Sequence, residues 1–111
     1  MYTNARRSDP DVQELRRAAG DWLRQLREQR GLSQRDLAKL VDAEYYTFIS
    51  QLEMGRGRVP PHRYKLWADA LGVTPKVFVK TLLRYYDPVT YSLLFDDEPP
   101  KEKEEKAVAA E

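Results

Sequence analysis

Apolar side chains recur at intervals of three and four residues in the first part of the chain and predict one long amphipathic helix. The apolar positions of this stretch are Val12, Leu15, Ala19, Trp22, Leu23 and Leu26. Asp9 followed by Pro10 is typical of a helix start, with Asp as the N-cap and Pro as the first helical residue. Gly31 suits the position just after a helix end. We therefore predict a helix from about residue 10 to 30, preceded by a flexible arm over residues 1–9.

Two short helices joined by a tight turn are predicted between residues 33 and 53. Ser33 is a suitable N-cap for the first of them. Its inward positions are Leu37, Ala38 and Val41. Asp42-Ala43 indicates the start of a new helix and therefore ends the first one. The predicted inward positions of the second helix are Tyr45, Phe48, Ile49 and Leu52. The glycines at 55 and 57 end this second helix.

The rest of the chain predicts two further helices and an extra apolar segment. A fourth helix begins at Pro60-Pro61, and its inward positions are Leu66, Trp67, Ala70 and Leu71. Thr74-Pro75 begins a fifth helix that runs to about Tyr86. The segment 87–95 makes one or two more helical turns or an extended strand, and residues 96–111 form a disordered acidic tail. The predicted fold is all-α, with five main helices over residues 10–86 and an extra C-terminal apolar segment.

The composition of the chain argues against several classes of protein and of functional site. The 111 residues suit one domain, and the absence of cysteine excludes disulfides and thiolate metal sites. No apolar run reaches the roughly 20 residues of a membrane-spanning helix, and the N-terminus lacks the apolar core of a signal peptide, so we expect a cytoplasmic protein without membrane contact. His62 is the only histidine, and neither a catalytic triad nor a nucleotide-binding glycine motif can be assembled. We therefore expect no enzyme activity, no metal and no cofactor.

The charge distribution is uneven along the chain. The net charge is only +1, but residues 1–95 carry 16 Lys and Arg against 11 Asp and Glu, and residues 96–111 carry 3 against 7. Without the tail the protein is moderately basic, which favours a nucleic-acid partner, although ordinary surface charge explains the same numbers.

The helix pair over residues 33–53 has the features of a helix-turn-helix. Ala38 is small enough for the second helix to cross closely over the first. With Ile49 and Leu52 inward, the outward positions include Tyr46, Thr47, Ser50 and Gln51. None of these four is charged, although 33% of the chain is. Because Gln can pair with the edge of adenine and Thr can contact the thymine methyl group, this face predicts base reading in the DNA major groove.

Residues beside this face predict contacts with DNA phosphates. Ser33 and Gln34 lie at a predicted helix N-terminus, where free backbone N–H groups favour an anion. The loop after the second helix offers Arg56 and Arg58, which would add affinity without sequence information. The predicted phosphate contacts are Ser33, Gln34, Arg35, Tyr45, Arg56 and Arg58.

Three stretches resemble the xenobiotic-response-element family, the phage-repressor and Cro type of helix-turn-helix. LSQRDLA over residues 32–38 resembles the second-helix signature of that family. ISQLEMGR over residues 49–56 resembles the end of its recognition helix, and LWADALGV over residues 66–73 resembles its fourth helix. The resemblance covers about residues 18–86, and three motifs in the correct order make it specific.

The resemblance implies a five-helix domain that binds operators as a homodimer. It implies that Gln34 contacts a phosphate or a base edge at the groove rim, that residues 46, 47, 50 and 51 face the bases, and that Arg56 lies on the DNA backbone. It also implies a structural ion pair between Arg27 and Glu53. This chain has one residue more than the family pattern between Ala38 and Ile49. Either Tyr45 or Tyr46 is therefore the first residue in the groove, or both reach phosphates.

The C-terminal apolar positions predict a homodimer interface. The apolar arc of the fifth helix covers about 160°, wider than the stripe of about 100° that faces a single core. The predicted interface residues are Phe78, Leu82, Tyr86, Val89, Leu93, Leu94 and Phe95. The alternative is that the last segment folds back onto its own core.

Taken together, the sequence predicts a homodimeric transcription regulator that reads a pseudo-palindromic operator in double-stranded DNA, with half-sites about 34 Å apart. RNA polymerase is a candidate further partner. The alternatives are the antitoxin of a toxin–antitoxin pair, with a toxin protein as partner, and a protein-interaction adaptor that kept the fold and lost DNA binding.

Overall fold

The computed structural model of this chain describes the backbone of residues 4–96 and the side chains of residues 12–96. The helices are α1 (Asn4–Gln29), α2 (Gln34–Leu40), α3 (Tyr46–Glu53), α4 (Tyr64–Leu71), α5 (Pro75–Tyr86) and α6 (Pro88–Phe95), with a 3-10 turn at Pro61–Arg63. The part of the chain that the structure describes contains no strand, so the predicted all-α fold is confirmed. The segment 87–95 is helical, and the predicted tail lies outside the described residues from 97 onward.

The first helix is longer than predicted. It ends as expected at Gln29, and Gly31 follows in the left-handed conformation with a φ of 72°. The prediction that it starts at Pro10 is wrong, because the helix begins at Asn4 and residues 4–9 are helical where a flexible arm was expected. Proline inside a helix removes one backbone donor and crowds the preceding turn. The helix nevertheless continues back to Asn4 through alanine and arginine, which are favourable helix formers.

The core lies where the helices α1 to α5 meet. α1 packs against both α3 and α5, and α4 packs against α5. The largest fully buried side chains are Trp67, Phe78, Leu23, Leu37, Ile49, Leu82, Val41 and Val59. Three predicted inward positions are wrong, since Val12, Tyr45 and Leu66 are exposed. In α4 the buried face includes Trp67, Ala68 and Leu71, and Leu66 lies outside it.

Gly20 marks the closest approach of two helices. A Cβ atom at this position would lie 2.5 Å from the carbonyl oxygens of Leu52 and Glu53 at the end of α3. Only a residue without a side chain permits that distance. The crossing of α1 over α3 fixes the orientation of α3 relative to the rest of the fold.

The positions of the C-terminal helices show that part of the predicted dimer interface is wrong. Phe78 and Leu82 are wholly buried in the core of this chain, so the prediction that they form an interface is wrong. The face of α5 that carries them packs against other helices of the same chain. Val89, Leu93 and Leu94 of α6 are exposed, Leu93 by 74%. α6 packs against α5 but has no fully buried residue.

None of the described helices is long and apolar enough to cross a membrane.

Candidate nucleic-acid interface

Local side-chain chemistry sets the start of α2. The Ser33 hydroxyl accepts the backbone N–H of Asp36 at 3.0 Å, and the Asp36 carboxylate accepts the backbone N–H of Ser33 at 2.9 Å. This reciprocal pair is a capping box, which satisfies two backbone donors that the helix leaves free. The same hydrogen bonds, first that of the Ser33 backbone, lower the pKa of Asp36 below its ordinary value. The position predicted as an N-cap is therefore the N-cap, and α2 begins at Gln34.

The turn between α2 and α3 accommodates the extra residue. Asp42 adopts the left-handed conformation with a φ of 59°, which aspartate tolerates better than most residues. Arg63, at the end of the 3-10 turn, holds this geometry by donating to the carbonyl oxygens of Val41 at 2.7 Å and Asp42 at 3.2 Å. Tyr45 becomes the N-cap of α3 and is 66% exposed, and Tyr46 is the first helical residue.

α3 presents an uncharged face away from the core. Ile49 and Leu52 are buried, and Thr47 and Gln51 on the other side are exposed. Tyr46 is also exposed, and Ser50 is half-buried. The four residues predicted to read bases thus lie on one side of α3. Ala38, also as predicted, is buried where α2 meets α3.

An ion pair joins α1 to the end of α3. Arg27 Nε lies 2.6 Å from Glu53 Oε2, and Arg27 Nη2 lies 3.0 Å from Glu53 Oε1. Both side chains are buried, and the hydrogen bond with Glu53 raises the pKa of the Arg27 guanidinium above its ordinary value. Gln34 Nε2 also donates to Glu53 Oε1, at 3.1 Å. The structure therefore brings together the two residues that the resemblance paired and adds Gln34, which the sequence did not connect with them.

The loop after α3 carries the two predicted arginines. Gly55 and Gly57 have positive φ values of 84° and 94°. A Cβ atom on Gly55 would lie 2.9 Å from the backbone of Arg17 in α1, so the loop runs directly beside α1. Arg56 and Arg58 are both exposed.

The two arginines of the loop have different surroundings. No hydrogen bond or ion pair involves the Arg56 side chain within the described residues. The Arg58 guanidinium lies over the Tyr86 ring, with its Cζ 5.1 Å from the ring centroid. The Tyr86 hydroxyl accepts the backbone N–H of Val59 at 3.2 Å, and burial raises the pKa of this phenol. Tyr86 therefore connects the loop to the end of α5, a link that the sequence did not indicate.

A second arginine lies on an aromatic ring at the uncharged face itself. Arg35, the second residue of α2, places its Cζ 4.3 Å from the centroid of the Tyr46 ring. Eleven positions separate the two residues, so no local spacing rule predicts the contact. It joins one of the predicted phosphate contacts to one of the predicted base readers.

Comparison with known proteins identifies a family. A family model described as helix-turn-helix matches residues 23–78, half of the chain, from the last two turns of α1 to the first turn of α5. No curated protein matches the chain.

Proposed function

This chain belongs to the Cro/C1-type helix-turn-helix family of DNA-binding transcription regulators, and we propose that it binds a specific double-stranded DNA sequence as a homodimer. The observation that carries this proposal is the exposed, uncharged face of α3. Solvated helix faces are normally rich in Glu, Lys and Arg, whereas hydrogen-bonding side chains without charge suit the edges of base pairs.

The base-reading role goes to α3. Thr47 and Gln51 point away from the core on consecutive turns of the helix, with Tyr46 and Ser50 beside them. A glutamine amide can donate to N7 and accept from N6 of adenine in a single bidentate contact. Gln51 therefore supplies base discrimination, and Thr47 adds a contact to a thymine methyl group.

The phosphate-binding role goes to donors around that face. Arg56 and Arg58 supply positive charge, and the Tyr45 hydroxyl is an exposed donor at the start of α3. The Ser33 hydroxyl accepts a hydrogen bond in the capping box and keeps its own O–H for donation. Gln34 uses one amide N–H on Glu53 and keeps the second. These contacts give affinity and register and leave the choice of sequence to α3.

The exposed apolar residues of α6 support the proposed homodimer. Three apolar side chains on this eight-residue helix, Val89, Leu93 and Leu94, are more than half exposed. Phe95 is less exposed and packs its ring against Tyr91, with the ring centroids 5.0 Å apart. Exposed apolar groups that lie together on a surface mark an interaction site. A twofold dimer through α6 presents two copies of α3 to the DNA, and it therefore reads an inverted repeat with half-sites about one helical turn apart.

The direct test is selection from a library of random-sequence DNA duplexes, followed by anisotropy titration of the full chain with the enriched duplex and a scrambled one. We expect an inverted repeat with half-site centres about 10 base pairs apart. We also expect at least about a thousandfold preference for the enriched duplex at physiological salt. If no sequence is enriched and no duplex binds at low salt, the proposal fails and the adaptor hypothesis takes its place.

A further inference from the structure

The stacked pair of Arg35 and Tyr46 gives the proposed DNA interface an additional reader. We propose that these two side chains act as one unit that specifies a guanine in the major groove, next to the base pairs read by Thr47 and Gln51. This inference rests on the proposed function and assigns Arg35 to a base, where the sequence placed it on a phosphate.

Arg35 is held in place while its hydrogen-bonding groups stay available. Its side chain is exposed, and its guanidinium lies 4.3 Å from the Tyr46 ring centroid. Within the described residues no carboxylate lies at ion-pair distance from it, unlike Arg24, Arg27 and Arg63. The nearby carboxylate of Asp36 is occupied by the capping box. The ring therefore restrains Arg35, and no anion of the protein neutralises it.

Stacking and base recognition use different parts of a guanidinium. The face of the planar group lies against the aromatic ring, and its N–H donors point outward in the plane. That planar fork matches O6 and N7 of guanine, which is the commonest specific contact of arginine with DNA. Restraint before binding lowers the entropy that the long side chain loses on contact. The same fork can bind a phosphate through two hydrogen bonds, so the two roles of Arg35 are separated by whether its loss changes sequence preference or overall affinity.

The position of the pair agrees with this role. Tyr46 is the first residue of α3 and directly precedes Thr47 on the uncharged face. The Arg35 guanidinium lies 4.3 Å from the centroid of the Tyr46 ring, so it lies at the N-terminal end of the uncharged face. The other stacked arginine of the interface, Arg58, lies on Tyr86 of α5 and not on α3, so it lacks this placement.

The test compares the sequence preferences of variants on the same random-sequence duplex library. The variants are Arg35→Lys, Tyr46→Leu and Tyr46→Phe, with Arg30→Lys as a charge-conserving control at another exposed arginine. We expect the wild type to fix one guanine at the edge of each half-site. Arg35→Lys, which removes the planar fork, and Tyr46→Leu should lower the preference for that guanine by about tenfold or more. Arg35→Lys should leave the preferences at the positions read by Thr47 and Gln51 unchanged. Tyr46→Phe, which keeps the ring, and Arg30→Lys should retain the preference for the guanine.

Replacement of that guanine by 7-deazaguanine in the enriched duplex removes the N7 acceptor and preserves base pairing. The wild type should lose about tenfold in affinity, and Arg35→Lys should lose almost nothing further. The inference is overturned if the wild type fixes no such guanine, or if Arg35→Lys weakens all duplexes equally with its sequence preference intact, as a phosphate contact requires. A wild type that enriches no sequence refutes the proposed function itself. Circular dichroism melts of each variant separate loss of reading from loss of folding.

Discussion

Gly20 shows how a single residue sets the position of the proposed reading helix. The carbonyl oxygens of α3 approach it so closely that any side chain would collide with backbone. Helix propensity alone describes glycine inside a helix as unfavourable. The benefit of glycine here depends on a contact between residues more than 30 positions apart, which no local pattern contains.

Gly20→Ala should destabilise the protein. Alanine in an exposed helix gains about 1 kcal/mol over glycine, but overpacking of a close helix contact costs about 1–3 kcal/mol. We expect a net loss of unfolding free energy in urea denaturation. The exposed Gln25→Ala on the same helix serves as the control and should change stability by less than about 0.5 kcal/mol. A Gly20→Ala variant more stable than wild type would contradict the close approach.

Glu53→Gln should also lower the free energy of unfolding. The substitution keeps the shape of the side chain and leaves the buried Arg27 guanidinium without its counter-charge. We expect a loss of roughly 2–3 kcal/mol in the free energy of unfolding. Asp69→Asn, at an exposed ion pair with Lys65, should lose less than about 0.5 kcal/mol and provides the control. If the two substitutions lowered the free energy of unfolding equally, burial of the Arg27–Glu53 pair would contribute nothing to stability.

The capping residues predicted several helix boundaries correctly. Ser33 and Thr74 each accept a backbone N–H at the start of the helix that they were expected to begin. Asp87 does the same for α6, in a segment that the sequence left open between helix and strand. The same rule failed at Pro10, where the start signal lies inside α1. The turn before α3 could be predicted only as longer than usual. Its conformation depends on Arg63, which approaches from a different part of the chain.

The α2 capping box predicts a defined pH dependence of stability. The pKa of Asp36 is lower in the folded protein, so its contribution is fully present above the ordinary aspartate pKa of about 3.9 and is lost as the pH falls through the lower folded value. Carbon-detected NMR titration should give an Asp36 midpoint below the ordinary value.

Ser33→Ala tests the cause of that shift. Loss of the hydroxyl should raise the Asp36 midpoint part of the way toward the ordinary value, since the backbone N–H of residue 33 remains. It should also lower the unfolding free energy by about 1 kcal/mol at neutral pH. An Asp36 midpoint that is unchanged in this variant would refute the capping box as its cause.

The wide apolar arc of α5 packs against other helices of the same chain. The sequence had predicted that part of this arc contacts a second copy of the chain. Phe78 and Leu82 face the core formed with α1 and α4. Periodicity reports which residues are apolar, but it does not distinguish a neighbour in the same chain from a second copy. The exposed apolar side chains proposed for the dimer interface lie on α6. The loop that carries Arg58 connects to the end of α5 through Tyr86, so the two proposed surfaces are physically linked.

Leu93→Lys should disrupt the proposed dimer. A charge in the middle of the α6 apolar surface opposes its burial against a second copy. Sedimentation at tens of micromolar should show a dimer for the wild type and a monomer for the variant. Val77→Lys, at an exposed apolar residue of α5, should remain dimeric. A wild type that sediments as a monomer would contradict the homodimer and leave α6 as a surface for another protein, as the antitoxin alternative requires.

In the proposed complex, α3 reads bases and the loop after it holds the DNA backbone. Anisotropy titrations of wild type, Gln51→Ala and Arg56→Ala, on the enriched and scrambled duplexes across a salt series, test it most directly. Gln51→Ala should lose about 1–3 kcal/mol of binding free energy on the enriched duplex only, and Arg56→Ala should weaken both duplexes and reduce the salt slope by about one. Equal losses of Gln51→Ala on the two duplexes, or no loss on either, would contradict the account.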